Sequence, residues 1–182
     1  SFGDVMDAFM AQMKFFLKWH IITMNNAEYT TRELLPLPVV SCSMGGCMES
    51  GRDVMYGGAK YNSSGLPGIG LSNTVDSLYM IKHLCFDTKK CTTREMYDAL
   101  VNDWKGHYGN GIKEVDELAS SITDKYAEIV NSITNPRGQK WSAAMFPVTA
   151  NVMFGMMTAA TPDGRNSGVP LADGISPVQQ MD

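Results

Sequence analysis

The sequence predicts an α/β fold, and three features of the 182-residue chain support that prediction. Apolar residues recur at spacings of three and four over residues 4–26, which is the period of an amphipathic helix. Two short apolar runs, 36–42 and 144–153, have the β-branched content of buried strands. Helical patterns separate these two runs, so the chain mixes helices with strands in the manner of an α/β architecture.

The first predicted helix leads through a polar connection into the first predicted strand. We expect the connection at Thr30–Arg32 and the strand to begin with Pro36 and Pro38, where a missing N–H is tolerated. A glycine-rich segment, 45–70, follows. Such a segment is either flexible or held in unusual backbone conformations around a site.

The second half of the chain has the boundary signals of three more helices. Ser72 or Asn73 is the predicted N-cap of the first, and Thr92 with Glu95 has the pattern of a capping box that opens the second. Pro136 follows the end of the third. The three predicted helices cover 73–86, 92–104 and 113–134, and 161–165 is a turn by composition.

The composition is that of an ordinary globular domain, with 44% hydrophobic and 19% charged residues. The net charge is −4 and the basic residues do not cluster, which argues against nucleic acid or an anionic membrane as a partner. The apolar runs are too short to span a membrane. Asp4 and Asp7 stand where a signal peptide would be basic, so we expect a cytoplasmic protein.

The four cysteines, Cys42, Cys47, Cys85 and Cys91, form no CxxC pair. We therefore expect neither a structural zinc site nor a disulfide framework, and we assign no metal-binding or cofactor-binding residue within the chain.

Cys47 and Glu49 are the candidate catalytic residues, because a thiol and a carboxylate stand two positions apart between glycines. A nucleophilic thiolate would need a base or a cation to lower its pKa, and Arg52 and Lys60 are the nearby candidates. A thiol that carries a hydrogen atom needs no base, and the carboxylate could then act on the substrate as a general base. The alternative is a small buried cysteine beside a surface charge.

A series of short motifs, taken in order along the chain, resembles the glycyl radical enzymes, the pyruvate formate-lyase-like superfamily. The motifs are Gly46-Cys47-Met48-Glu49, Gly57–Asn62, Gly68-Ile69-Gly70 with Asn73 and Asp76–Leu78, Tyr108-Gly109-Asn110 with Val115–Ala119, Thr161–Arg165, and Pro170–Pro177.

The resemblance implies part of a ten-stranded α/β barrel with the catalytic cysteine on a loop in the barrel centre. Residues 1–182 would be a single partial catalytic-core segment of this domain. We expect the N-terminal half of the barrel and the C-terminal glycyl radical loop to be absent from this segment, which by itself would be inactive.

The resemblance also implies a mechanism. A glycine radical outside this chain, installed by an S-adenosylmethionine iron–sulfur activating enzyme, would generate a thiyl radical on Cys47. That radical would abstract hydrogen from a small-molecule substrate while Glu49 acts as general base. The full-length protein would be a homodimer that meets its activating enzyme as a partner.

At two places the chain differs from particular branches of this family, and these differences narrow the expected reaction. Pyruvate formate-lyase itself uses two adjacent cysteines, whereas Met48 follows Cys47 here, so a dehydratase or decarboxylase type of lyase is favoured. Diol dehydratases carry an aspartate shortly before the position of Asn62, which Gly57–Lys60 lacks, so glycerol or propanediol is less expected. The alternatives are a formate-lyase-type acetyltransferase and a non-catalytic, truncated relative that acts as a binding module.

Overall fold

The computed structural model describes residues 1–99 and 107–178. These residues form a mixed structure of helices and two short paired strands. They divide into two compact units: Ser1–Phe9, Pro67–Asp124 and Ala144–Asp182 belong to the first, and Met10–Leu66 and Lys125–Ala143 to the second. Within the described ranges, no helix combines the length and the apolar character that a membrane span requires.

The first predicted helix is confirmed and is longer than predicted. Helix α1 covers Phe2–Leu34, so the expected polar connection at Thr30–Arg32 is wrong. The Thr30 hydroxyl donates to the carbonyl of Asn26 one turn earlier, so the helix accommodates this polar side chain. The helix ends just before Leu35-Pro36, because a proline ring disfavours the helical conformation of the residue that precedes it.

The predicted strand at 36–42 is wrong, because this segment forms helix α2, Pro38–Ser43. Pro38 lies in the first turn, where its fixed φ suits a helix and its missing N–H costs nothing. The preceding Leu37 N–H donates to the Asp53 carboxylate at 2.9 Å. A contact with a residue later in the chain therefore stabilises the start of α2.

The second predicted strand, 144–153, is wrong over most of its length. Strand β1, Ser64–Pro67, pairs with strand β2, Trp141–Ala144, and the apolar run beyond it ends in helix α7, Ala150–Met157. Val148 and Thr149 have positive φ values of 47° and 68°. This left-handed pair after Pro147 prevents the strand from continuing.

The remaining predicted helices are confirmed where the structure describes them. They are α4, Leu71–Ile81, continued by a π-helical turn, Lys82–Asp87; α5, Thr93–Ala99; and α6, Lys113–Asn131. The predicted continuation of the second of these to 104 lies outside the described residues. The capping box before α5 is present, since the Glu95 carboxylate accepts the Thr92 N–H at 2.8 Å. The predicted N-cap of α4 is wrong: Gly70 caps it, and Ser72 and Asn73 are buried within it.

Each unit has its own core. In the first unit the buried apolar side chains come from α4, α5, α6 and the segment after α7, and they include Val75, Leu78, Val115 and Ala172. In the second unit they include Ile21, Val54, Ile129, Val130 and Trp141. The candidate cysteine, Cys47, belongs to the second unit, where only 3% of its surface is exposed.

Candidate functional site

The two candidate catalytic residues lie in one helical turn. Helix α3 comprises Cys47–Ser50, with the thiol on its first residue and the Glu49 carboxylate on its third. The element that precedes this turn is helix α2, in place of the strand predicted at 36–42. The two side chains therefore share one short rigid element.

A glycine at position 46 is required by both the backbone conformation and the packing. Gly46 has φ 101°, a left-handed value that side chains rarely adopt. A Cβ there would lie 2.7 Å from the backbone nitrogen of Lys60 and 3.0 Å from the carbonyl oxygen of Gly58. The Lys60 N–H also donates to the carbonyl of Gly45 at 2.8 Å. The segment around Gly58 therefore packs directly against the turn that carries Cys47.

The glycine-rich segment is held in place over residues 46–62. A Cβ at Gly58 would lie 2.1 Å from the carbonyl oxygen of Arg52. The buried Asn62 side chain donates to the carbonyls of Gly57 and Ala59, at 3.3 and 2.6 Å. Of the two readings that the sequence allows, the structure supports constraint around a site over flexibility.

Glu49 has a structural contact in addition to its candidate role. Its carboxylate accepts the Gly46 N–H at 2.9 Å and so caps the start of α3. The residue is exposed in this chain, so the carboxylate remains accessible to a small molecule.

Cys47 has the opposite environment, and its thiol is kept protonated. Burial is the main cause that raises the pKa of the Cys47 thiol, and the negative charges of Asp53 and Glu49 raise it further. Activation of a thiolate by Arg52 or Lys60 would require a lowered pKa. The raised pKa of Cys47 favours an S–H group over a thiolate at neutral pH.

Asp53 is the residue of this site that sequence reasoning missed. Its carboxylate accepts the N–H groups of Leu37 and Met55, at 2.9 and 2.8 Å, and contacts the Ser41 hydroxyl at 2.8 Å. The bond from Met55 is the main cause that lowers its pKa, so the carboxylate stays charged. Its position as N-cap of a 3₁₀ turn, Val54–Tyr56, was the available sequence signal.

Tyr61 and Asn62, the last two residues of the Gly57–Asn62 motif, have different environments. Asn62 is buried and supports the glycine-rich segment. Tyr61 is 79% exposed, with the Lys60 ammonium 5.6 Å from its ring centre. Met48, which follows the candidate cysteine, is also exposed.

The later motifs meet in the first unit as a buried polar network. The Asn73 side-chain NH2 donates to the Asp163 carboxylate at 2.5 Å, and the Asn73 side-chain oxygen accepts the Ala172 N–H at 2.7 Å. The N–H groups of His107 and Tyr108 both donate to the Asp76 carboxylate, at 2.9 and 2.8 Å. Four separate motifs are thereby joined around helix α4.

Arg165, the last residue of the Thr161–Arg165 motif, is part of this network. It is 5% exposed. Its guanidinium donates to the Thr161 hydroxyl and to four backbone carbonyls, those of Asn166, Val169, Thr158 and Ala159. Because these bonds engage its donors, Arg165 holds the 158–169 segment together and is not presented to an anionic ligand. Asp173, within the Pro170–Pro177 motif, is exposed.

Comparisons with known proteins agree on one family. A family model described as pyruvate formate lyase-like matches residues 1–155. The chain is 33% identical to (2S)-3-sulfopropanediol dehydratase of Klebsiella oxytoca, over 98% of this chain and 23% of that protein. It is also 29% identical to trans-4-hydroxy-L-proline dehydratase of Clostridioides difficile, over 97% of this chain and 24% of that protein.

A solved structure leads to the same conclusion. The glycerol-bound B12-independent glycerol dehydratase of Clostridium butyricum superposes with a TM-score of 0.90 at 39% identity, over 97% of this chain and 24% of that one. The chain thus spans about a quarter of the length of the proteins it matches. The chain belongs to the pyruvate formate lyase-like family of glycyl radical enzymes.

Proposed function

We propose that the protein that carries this chain is a glycyl radical lyase of the dehydratase type, acting on a small hydroxylated metabolite. In this proposal Cys47 gives up and recovers a hydrogen atom, and Glu49 accepts a proton from a substrate hydroxyl. The observation that carries the proposal is the buried Cys47 thiol, whose pKa is raised by burial and by neighbouring carboxylates.

A hydrogen-atom carrier must hold its hydrogen until the reaction begins. A thiolate has no S–H hydrogen to give, so a lowered thiol pKa would work against this role. A cysteine nucleophile, in contrast, would need a lowered pKa. Burial also keeps water and other hydrogen donors away from the sulfur. The environment of Cys47 supports the carrier role over the nucleophile.

The neighbouring carboxylate supports the second part of the proposal. Glu49 is exposed and lies two residues from Cys47 in the same helical turn. A substrate that rests against the thiol would have this carboxylate as the nearest proton acceptor along the chain.

The family's glycine radical would supply the oxidising equivalent that turns the Cys47 S–H into a thiyl radical. Cys47 would then take a hydrogen atom from a substrate carbon, and Glu49 would remove the proton of the hydroxyl on that carbon. In a vicinal diol, the hydroxyl on the next carbon would leave as water with the proton that Glu49 accepted, and Cys47 would return the hydrogen atom to that carbon. We further propose the ten-stranded barrel, a dimer and a separate activating enzyme for the complete protein.

The names of the relatives support the proposed substrate class. Sulfopropanediol, hydroxyproline and glycerol, as those proteins are named, share a hydroxyl-bearing carbon. Although Gly57–Lys60, the stretch just before Asn62, contains no aspartate, these similarities keep vicinal diols within the proposed class. Met48 stands where a second adjacent cysteine would be, which speaks against acetyl transfer to coenzyme A.

The test is Cys47→Ser in the complete protein, with Cys42→Ser as the matched control. We expect Cys47→Ser to abolish dehydration of hydroxylated substrates while the glycine radical signal in electron paramagnetic resonance persists after activation. Cys42 is exposed and should tolerate the same change. Substantial turnover by Cys47→Ser would remove Cys47 from the mechanism. Release of carbon dioxide or formation of acetyl-coenzyme A by the wild type would identify the alternative reactions.

A further inference from the structure

Two cysteines outside the candidate site lie in side-chain contact. Cys85 belongs to the π-helical turn, Lys82–Asp87, and Cys91 directly precedes the capping box of α5. Their sulfur atoms are 3.8 Å apart, and both residues are partly exposed. We propose that Cys85 and Cys91 form a reversible intramolecular disulfide, which makes this pair a redox modification site independent of the proposed function.

The backbone around the pair brings the two thiols together. The N–H groups of Thr88 and Lys90 donate to the carbonyls of His83 and Leu84, at 2.9 and 2.8 Å, so the chain folds back immediately after Cys85. Lys89 has a left-handed φ of 52° at the reversal. These bonds hold the cysteine side chains in contact in the reduced state.

The elements on both sides anchor the reversal. The Lys82 ammonium contacts the carboxylates of Asp87 and Glu114, each at 2.7 Å, which fixes the π-helical turn. The capping box fixes the chain just after Cys91. A disulfide of about 2.05 Å requires the sulfurs to approach by a further ~1.8 Å.

The chemistry of the two thiols sets the order of the reaction. Burial, followed by the hydrogen bond with Cys91, raises the pKa of Cys85 to about 11. Because this raised pKa disfavours Cys85 as the first attacking group, we assign the first step to Cys91, whose thiolate attacks a small-molecule disulfide, releasing one thiolate and leaving a mixed disulfide. Cys85 then loses its proton and attacks the Cys91 sulfur, which expels the second thiolate. Two protein thiols are oxidised, and one small-molecule disulfide is reduced to two thiols.

A negatively charged disulfide fits this site better than a neutral one. Lys89 and Lys90 are exposed and lie between the two cysteines in the chain. Their charges would attract oxidised glutathione, which carries several carboxylates, toward Cys91.

The experiment exposes the reduced complete protein to oxidised glutathione and maps its peptides by mass spectrometry without reduction. We expect a Cys85–Cys91 cross-link, with a mass lower by two hydrogen atoms, that dithiothreitol reverses. Cys42→Ser should leave the cross-link unchanged. Cys85→Ser should instead accumulate glutathione on Cys91, and Cys91→Ser should leave Cys85 largely free.

Two outcomes would overturn the proposal. One is wild-type protein that keeps glutathione on Cys91 without forming the cross-link. The other is a pair that stays reduced while the exposed Cys42 is modified. Both outcomes are read on wild-type protein, so they remain decisive if a serine variant fails to fold.

Discussion

Cys47 and Glu49 share one helical turn but differ in their exposure to solvent. The thiol is buried and the carboxylate is exposed, which matches a hydrogen-atom carrier beside a proton acceptor. Motifs in the sequence were enough to select both residues, although their roles stay predictions. Asp53 was missed because its contacts reach Leu37 and Ser41, more than ten residues away in the sequence.

The charge of Asp53 should contribute to keeping the Cys47 thiol protonated. We expect Asp53→Asn to lower the pKa of Cys47, because it removes one of the negative charges that raise it. The measurement is the pH dependence of Cys47 alkylation by iodoacetamide, read by peptide mapping, with severalfold faster reaction near neutral pH in the variant. Ser41→Ala disturbs the same contacts without changing charge and is the control. Equal acceleration in both variants would attribute the effect to loosened packing.

Glu49 combines a structural contact with its proposed role, and two substitutions separate them. In Glu49→Gln the amide oxygen can still accept the Gly46 N–H, so stability should be retained while turnover falls by about 10²-fold or more. Glu49→Ala should lose the same activity and also about 1 kcal/mol of stability through the missing cap. Kinetics and chemical denaturation of the two variants provide the readouts. Near-normal turnover by Glu49→Gln would exclude the carboxylate as general base.

At the scale of elements, the long helices α1, α4 and α6 were predictable because their apolar period extends over many residues. The apolar runs that contain most of α2 and the first half of α7 predict strands instead. Both are short, apolar and partly β-branched, and over such lengths periodicity does not separate a helix from a strand. A proline in the first turn of α2 and a left-handed pair before α7 determined the outcome.

Three glycines on either side of α3 differ in backbone conformation and packing, so replacing each by alanine should cost a different amount of stability. Gly46→Ala combines a left-handed φ with contacts below the usual limit, so we expect a loss on the order of 3 kcal/mol. Gly51→Ala has a left-handed φ of 59° but open space, and should cost about 1 kcal/mol. Gly45→Ala has neither problem and should be within about 0.5 kcal/mol of wild type. Urea denaturation of the three variants tests the order, and equal losses would contradict it.

At the scale of the whole molecule, the motifs were sufficient to predict the family but not the contacts between them. Asn73 and Asp163 are hydrogen-bonded although they are 90 residues apart in the chain. The Val178 N–H donates to the Ser72 hydroxyl, which is 106 residues away in the chain. Sequence periodicity carries no information about such pairs. In the structure these short motifs contact one another, because side chains of α4 accept backbone N–H groups of the other motifs and Asn73 donates to Asp163.

The buried carboxylate of this network should make stability depend on pH. Burial raises the pKa of Asp76 above 3.8, its ordinary value, although the N–H groups of His107 and Tyr108 partly oppose that shift. The folded state therefore holds this proton to higher pH than the unfolded chain does. The favourable contribution of protonated Asp76 is present below the unfolded value and is lost as pH rises through the raised folded value.

Asp76→Asn tests this linkage, because an amide oxygen can still accept both N–H groups but carries no charge. We expect the stability of the variant relative to wild type to increase as pH rises from acid toward neutrality, measured by urea denaturation followed by circular dichroism. Asp124→Asn, at an exposed position of α6, should show no such trend and is the control. A difference in unfolding stability between Asp76→Asn and wild type that is the same at every pH would mean that the Asp76 carboxylate titrates alike in the folded and unfolded states. The network would then tolerate the charge through its hydrogen bonds alone.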